Sequence, residues 1–289
     1  MSAVAHGRPA DLVAGATTIA SPPQIYERLM TVINHPRSGS ADIAAVIAED
    51  QGLTARLLKI VNSAFFSFPR RIETVTTAVT IVGTGQIRDL ALATSVMTLF
   101  QDVPADLVDM ESFWFHSLAC GTVARVMASH RRENNVERFF VSGLLHDIGR
   151  LIIYMEAGNA ARDAIERCRV TGEPLHACES EVFGFEHAQV GGALLGQWAF
   201  PASFREAVAY HHRPRRASRF PVETAAVHVA DVIANAMRWG CSGEPRVPPL
   251  DPDAWSRLGI DVGLLPIILE DAERQLEAAV HFTSDGGRG

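Results

Sequence analysis

Apolar residues recur at helical intervals along most of the chain. Ile25, Leu29, Val32 and Ile33 follow Pro22-Pro23 with the spacing of one helix face. Ile43, Val46 and Ile47 follow a candidate cap at Ser40. A third run, Leu53, Leu57, Leu58 and Val61, stops at Asn62-Ser63, ahead of an aromatic turn containing Phe65, Phe66, Phe68 and Pro69. The same pattern predicts helices over 74–82, 85–100, 111–130, 137–155, 159–171, 175–182, 187–198, 203–211 and 222–238, with Gly, Pro or short polar stretches between them. Residues 240–252 read as a loop. Residues 261–281 read as an amphipathic closing helix with Leu264, Leu265, Ile268, Leu269 and Leu276 on its apolar side. No segment alternates as a half-buried strand does, so the pattern predicts an all-α fold.

The ends and the middle differ. Residues 1–20 are Ala- and Gly-rich without periodicity and are expected to form a flexible tail; 282–289 are expected to be disordered. Between them, the first hundred residues carry only His6 and His35, whereas the next 130 carry eight histidines. This asymmetry predicts a two-lobed helical bundle: an N-terminal lobe over 21–105, a His-rich lobe over 106–240 that carries the chemistry, and closing helices over 241–281.

Composition narrows the function classes. The 289 residues are 47% hydrophobic and 20% charged, as in ordinary globular domains. A net charge of −7 argues against wrapping nucleic acid or lying on anionic lipid. Cys120, Cys168, Cys178 and Cys241 form no Cys-x-x-Cys pair and read as thiols of a reducing compartment. With no leader-like N-terminus and no apolar run near the ~20 residues of a bilayer span, a cytoplasmic location is expected.

Against that background, several polar residues stand out because they interrupt apolar helices. His146-Asp147 lies within Val141-Ser-Gly-Leu-Leu-His-Asp-Ile-Gly-Arg-Leu-Ile-Ile153. Burying an imidazole beside a carboxylate is costly unless each finds a partner, either a neighbouring helix or a metal ion. His116 interrupts a second apolar helix and Asp231 a third. Together the three helices would supply two imidazoles and two carboxylates, a shell suited to Fe, Mn, Zn or Mg. His187 opens a helix and His211-His212 ends one. They are either end-capping histidines or ligands of a second ion that shares Asp147 as a bridging carboxylate. His228, one turn before Asp231, is a candidate support behind the ligands. The run containing Arg213, Arg215 and Arg216 is either a solvated loop or a grip for a phosphate or an acidic partner, and Arg150, one turn past His146-Asp147, is a second such candidate.

The order His116, His146-Asp147, Asp231 resembles the HD superfamily of metal-dependent phosphohydrolases. With His187 and His211-His212 it is similar to the branch of HD-GYP cyclic-di-GMP phosphodiesterases. Four stretches resemble a sister family more closely, the HDOD (HD-related output) domains of bacterial signalling. They are Asp50-Gln-Gly-Leu-Thr-Ala-Arg-Leu-Leu-Lys-Ile-Val-Asn-Ser-Ala64, the segment from Ile72 to Gly83, Gly143-Leu-Leu-His-Asp-Ile-Gly-Arg-Leu151 and Phe183-Gly-Phe-Glu-His187. The resemblance covers about residues 22–281. Three features depart from the HD-GYP branch: no Gly-Tyr-Pro follows the histidine pair, Arg150 replaces a lysine, and Ser112 stands where some relatives place an acidic ligand.

The resemblance implies an HD-like helical core in the second lobe and a signal-transduction output domain that works through a protein partner. It also implies one or two divalent ions at His116, His146, Asp147, His187, His211, His212 and Asp231, without cyclic-di-GMP phosphodiesterase activity. The alternative it implies is a metal-dependent phosphohydrolase acting on a nucleotide or another phosphoester, with Asp147 and Arg150 as catalytic groups.

Overall fold

A computed structural model of the chain describes residues 7–16, 24–33, 35, 37–62, 68, 70–100 and 103–279. The Pro22-Pro23 helix start, most of the aromatic turn after Asn62 and the C-terminal tail lie outside the described residues. Among the described residues there are helices and no strands, so the fold is all-α, as the apolar pattern predicts.

The first helix is a correction. Within the stretch expected to be a flexible tail, α1 (Pro9–Gly15) forms and packs on two later helices, α9 and α12, burying Val13 and, at its end, Ala16. Pro9 presets the first turn, and Asp11 accepts the Arg8 backbone N–H at 2.8 Å. A helix of fewer than two turns is too short to leave a periodic signature.

Packing divides the chain into two units. One comprises Ser21–Gln101 with Glu270–Gly289; the other comprises Met1–Ala20 with Asp102–Leu269. Thus α1 and the segment from 240 to 269 pack with the His-rich half.

The smaller unit contains α2 (Gln24–Ile33), α3 (Ser40–Ala48), α4 (Gln51–Val61), α5 (Val75–Val82) and α6 (Thr84–Met97). Leu29, Ile47, Leu53, Leu57, Val79 and Leu90 form its core. Ser40 is the first residue of α3 rather than its cap; the Gly39 N–H is taken by Asp42 instead. Asp50 caps α4 by accepting the Leu53 N–H, and Thr74 caps α5 by accepting the Thr77 N–H. After α4 the Asn62 side chain bridges to Ile72 in both directions, donating to its carbonyl at 2.7 Å and accepting its N–H at 2.6 Å.

In the larger unit, α7 (Met110–His130) is the central helix and is buried along most of its length. It is followed by α8 (Glu137–Leu144), α9 (Ile148–Glu156), α10 (Gly158–Thr171), α11 (Leu175–Phe183), α12 (His187–Gln197), α13 (Ala202–Tyr210) and α14 (Pro221–Ala236). The single helix expected over 137–155 is broken at residues 145–147. Leu145 still closes an α-turn on Val141, but the His146 and Ile148 N–H groups reach back only three residues, to Gly143 and Leu145. The break lets α8 stay on α7 while α9 turns onto α12.

Glycines make both contacts possible. A Cβ on Gly143 would lie 2.7 Å from the Gly121 backbone of α7. One on Gly149 would lie 2.1 Å from the His187 carbonyl and 2.3 Å from the Gly191 amide. α15 (Pro252–Leu258), which the sequence pattern does not predict, starts at the Asp251 cap. The expected closing helix begins later, as α16 (Leu265–Ala279), after a 3-10 turn over Val262–Leu264. No helix among the described residues is long and apolar enough to cross a membrane.

Candidate metal centre

Five places in the larger unit supply the polar residues picked out in the sequence. His116 lies in the middle of α7 and Asp231 in α14, two helices that pack together. His146 and Asp147 occupy the turn between α8 and α9, His187 is the first residue of α12, and His211-His212 directly follow α13.

All seven converge in two adjacent groups, His116–His146–Asp231 and Asp147–His187–His211–His212. Within each group one potential ligand atom per residue lies within 4.8 Å of the others. Six of the seven are buried and His212 is partly so, which makes the His212 side the one nearest solvent.

In the first group the His116 Nε2 is 3.1 Å from Asp231 Oδ1, and His146 Nε2 is 3.6 Å from the same oxygen. Asn235 donates to that oxygen at 2.7 Å, and His146 Nδ1 donates to the Gly143 carbonyl at 2.7 Å, which aims its Nε2 inward. The Asp147 carboxylate divides between the groups. Its Oδ2 is 3.2 Å from His146 Nε2, whereas Oδ1 is 2.8 Å from His187 Nε2 and 3.7 Å from His211 Nε2. His211 Nδ1 donates to the Val208 carbonyl, and the His212 and His187 Nε2 atoms are 3.1 Å apart.

This arrangement fits a cation. His116 Nδ1, His146 Nε2, Asp147 Oδ1 and His211 Nε2 are buried without a hydrogen-bond partner, although the last three sit within ion-pair range of a neighbour. Buried polar atoms are normally satisfied, and a divalent ion satisfies imidazole nitrogens and carboxylate oxygens at once.

The charges agree. Burial opposes the Asp147 charge, yet Arg150, His146 and His187 outweigh it and hold the carboxyl well below its usual range. Burial opposes the Asp231 charge too, and His116 and His146 keep it ionised. Burial, reinforced by neighbouring imidazoles, pushes His211 and His212 well below the usual histidine value. They are therefore neutral at neutral pH, the form in which imidazole donates to a metal. His187 goes the other way: burial and Arg150 lower it, but Glu179 and Asp147 more than offset them and bring it to about 9.

The remaining sequence candidates do different work. His228 donates from Nδ1 to the His211 carbonyl and accepts the Asp251 N–H at Nε2, so it ties the histidine pair to the segment at Asp251. Arg150 is a correction. It is 1% exposed and donates to the Ser242 carbonyl and hydroxyl at 3.1 and 2.7 Å, so it is an internal counter-ion with no free face for a phosphate. Arg213 pairs with Glu186, and Arg215 with Asp251 and Asp253, while Arg216 is exposed.

Three residues escaped the sequence reading. Glu179 contacts His187, His176 stacks on His212 with ring centroids 4.1 Å apart, and Ser242 holds Arg150. The His176 and Glu179 positions are three residues apart on α11, facing the second group. The one local signal for Glu179 is the Phe183-Gly-Phe-Glu-His187 turn, which brings the first residue of α12 against it.

The HDOD domain family matches residues 19–214, a span that includes six of the seven clustered His/Asp residues, all but Asp231. An uncharacterized protein of Treponema pallidum (strain Nichols) is 24% identical over 194 residues, which cover 66% of this chain and 37% of that protein. The match thus spans little more than a third of that relative's length. Among solved structures, an HDOD domain protein of unknown function from Geobacter sulfurreducens superposes with a TM-score of 0.74 at 24% identity, over 91% of this chain and 92% of the other. A Shewanella amazonensis SB2B protein with a provisional phosphohydrolase name superposes with a TM-score of 0.74 at 22% identity, over 94% and 97%. At these identities the likeness is one of fold.

Proposed function

The chain belongs to the HDOD domain family, and from that premise we propose that it is a metal-loaded signalling output domain, acting through a protein partner rather than by turnover. The observation that carries this reading is the burial of the site. Six of the seven His/Asp residues are enclosed, and Arg150 is spent on Ser242, Asp147 and Glu179. One or two divalent ions of the Fe, Mn, Zn or Mg class would be held by His116, His146 and Asp231, and by Asp147, His187, His211 and His212. The ions would tie α7, α9, α12, α13 and α14 together and set the shape of the larger unit for its partner.

A second reading is favoured by one feature, the Asp147 carboxylate shared between two adjacent ligand groups. That is the arrangement of two-metal phosphoester hydrolysis. In such a reaction the ions would supply charge stabilisation, and the partly open His212 side would admit the substrate.

Turnover separates the readings. Protein loaded with Mn²⁺, and Asp147→Ala as the control, are offered bis(p-nitrophenyl) phosphate and cyclic-di-GMP. The output-domain reading expects ions on the wild type and no hydrolysis above the control. Hydrolysis that the substitution abolishes overturns it in favour of the phosphohydrolase.

A further inference from the structure

Glu179 is buried in α11, eight residues before His187, and belongs to neither ligand group. One of its oxygens, Oε2, serves His187 twice. It accepts the backbone N–H at 2.9 Å, where α12 begins, and the ring Nδ1–H at 2.5 Å. Its other oxygen, Oε1, lies 3.6 Å from Arg150 Nε. Arg150 in turn sits 3.3 Å from Asp147 Oδ2 and is anchored on Ser242. One guanidinium therefore balances both carboxylates that flank the His187 ring.

The consequence for the ring is specific. With Nδ1–H held by Glu179, Nε2 is the nitrogen left to give up its proton and bind an ion, and Nε2 is the atom that faces Asp147 Oδ1 and His212 Nε2. Because the same oxygen also holds the backbone of His187, the ring has little freedom to swing out of line with the second group. Carboxylate–imidazole pairs of this kind fix the tautomer and basicity of metal-bound histidines.

We propose that Glu179 is a positioning residue that presents His187 Nε2 to the Asp147–His187–His211–His212 group, so that it governs occupancy of that group and not of His116–His146–Asp231. The role rests on the metal reading of the site.

Its test counts ions rather than activity. Wild type, Glu179→Gln and Glu179→Ala are titrated with Mn²⁺ and followed by elemental analysis and electron paramagnetic resonance, with circular dichroism to verify folding. Glu179→Gln keeps an acceptor for Nδ1–H and is expected to hold both ions. Glu179→Ala is expected to keep the first ion and to bind the second about 10–100-fold more weakly. Equal, unweakened binding of both ions by a folded Glu179→Ala overturns the role, and so does equal weakening of both groups, which marks a general structural part.

A wild type that binds no Mn²⁺ overturns the metal reading itself, and this role with it. The Zn²⁺-loaded wild type supplies a check that needs no substitution. The ring ¹⁵N shifts of His187 are expected to show a protonated Nδ1 and an unprotonated Nε2, and the reverse pattern overturns the proposal.

Discussion

Asp89 in the smaller unit and Asp231 in the larger are enclosed almost equally, at 1% and 4% exposure, yet their carboxyls respond in opposite directions. Burial pushes Asp89 up, and the partly exposed Arg88 beside it only offsets part of that. Burial works on Asp231 as well, but two buried imidazoles, His116 and His146, reverse the shift. The same contrast runs through the two cores. In the smaller unit the buried side chains other than Asp89, Thr94 and Ser95 are apolar among the described residues, whereas the larger unit encloses His116, His146, Asp147, Arg150, Glu179, His187, His211 and Asp231. Burial alone does not separate the two carboxylates; the number of buried positive groups set against each one does.

The sharpest way to break this comparison is to remove the group that links the larger unit's charges. Asp147→Ala leaves Arg150 and His187 facing a void and is expected to cost about 3–5 kcal/mol in the metal-free protein, read as a fall in denaturant midpoint. A loss below 1 kcal/mol would show that the cluster is loosely solvated. Next is Gly149→Ala, whose added methyl meets the His187 carbonyl and Gly191 amide, both backbone. Separating α9 from α12 is expected to cost about 1–3 kcal/mol and to weaken metal binding at the second group. An unchanged melting temperature would contradict the close approach.

In the smaller unit the signs reverse. With its folded value raised, Asp89 contributes stability that is present below its ordinary 3.8 and lost as pH rises through the folded value. Asp89→Asn is therefore expected to gain up to about 1 kcal/mol at pH 7, with the gain vanishing below pH 3.8. Asp231, lowered, contributes above 3.8 and loses that contribution as pH falls. A destabilised Asp89→Asn at pH 7 would place both carboxylates in one class. The smallest effect is expected from Gly85→Ala, near the start of α6, where a methyl meets nothing within 4 Å. A gain of about 0.5 kcal/mol is expected from the less flexible unfolded chain, and a loss would show that the helix end is strained.

Helix content and the His/Asp cluster were legible in the sequence for the same reason: a polar residue inside an apolar helical run is conspicuous. His116, His146, Asp147, His187, His211, His212 and Asp231 all meet that description or flank such a run, and the structure brings them together. The break at 145–147 was hidden, because apolar residues on both sides continue the helical pattern across it. Arg150 looked free because its anchor, Ser242, is 92 residues away in a stretch read as loop. Glu179 passed as an ordinary charged helix position, since only the return of the chain at Gly184 sets it against His187. What stayed hidden are contacts between distant segments that carry no local pattern.

The central claim is that two adjacent ligand groups hold divalent ions, and counting them tests it most directly. Protein purified without a histidine tag is loaded with Mn²⁺ or Zn²⁺, desalted, and measured for metal per chain beside Asp147→Ala. Two ions per wild-type chain, with neither group filled in the substituted protein, are expected. A wild type that folds normally and retains no ion would contradict the account and leave the seven residues as a metal-free polar core.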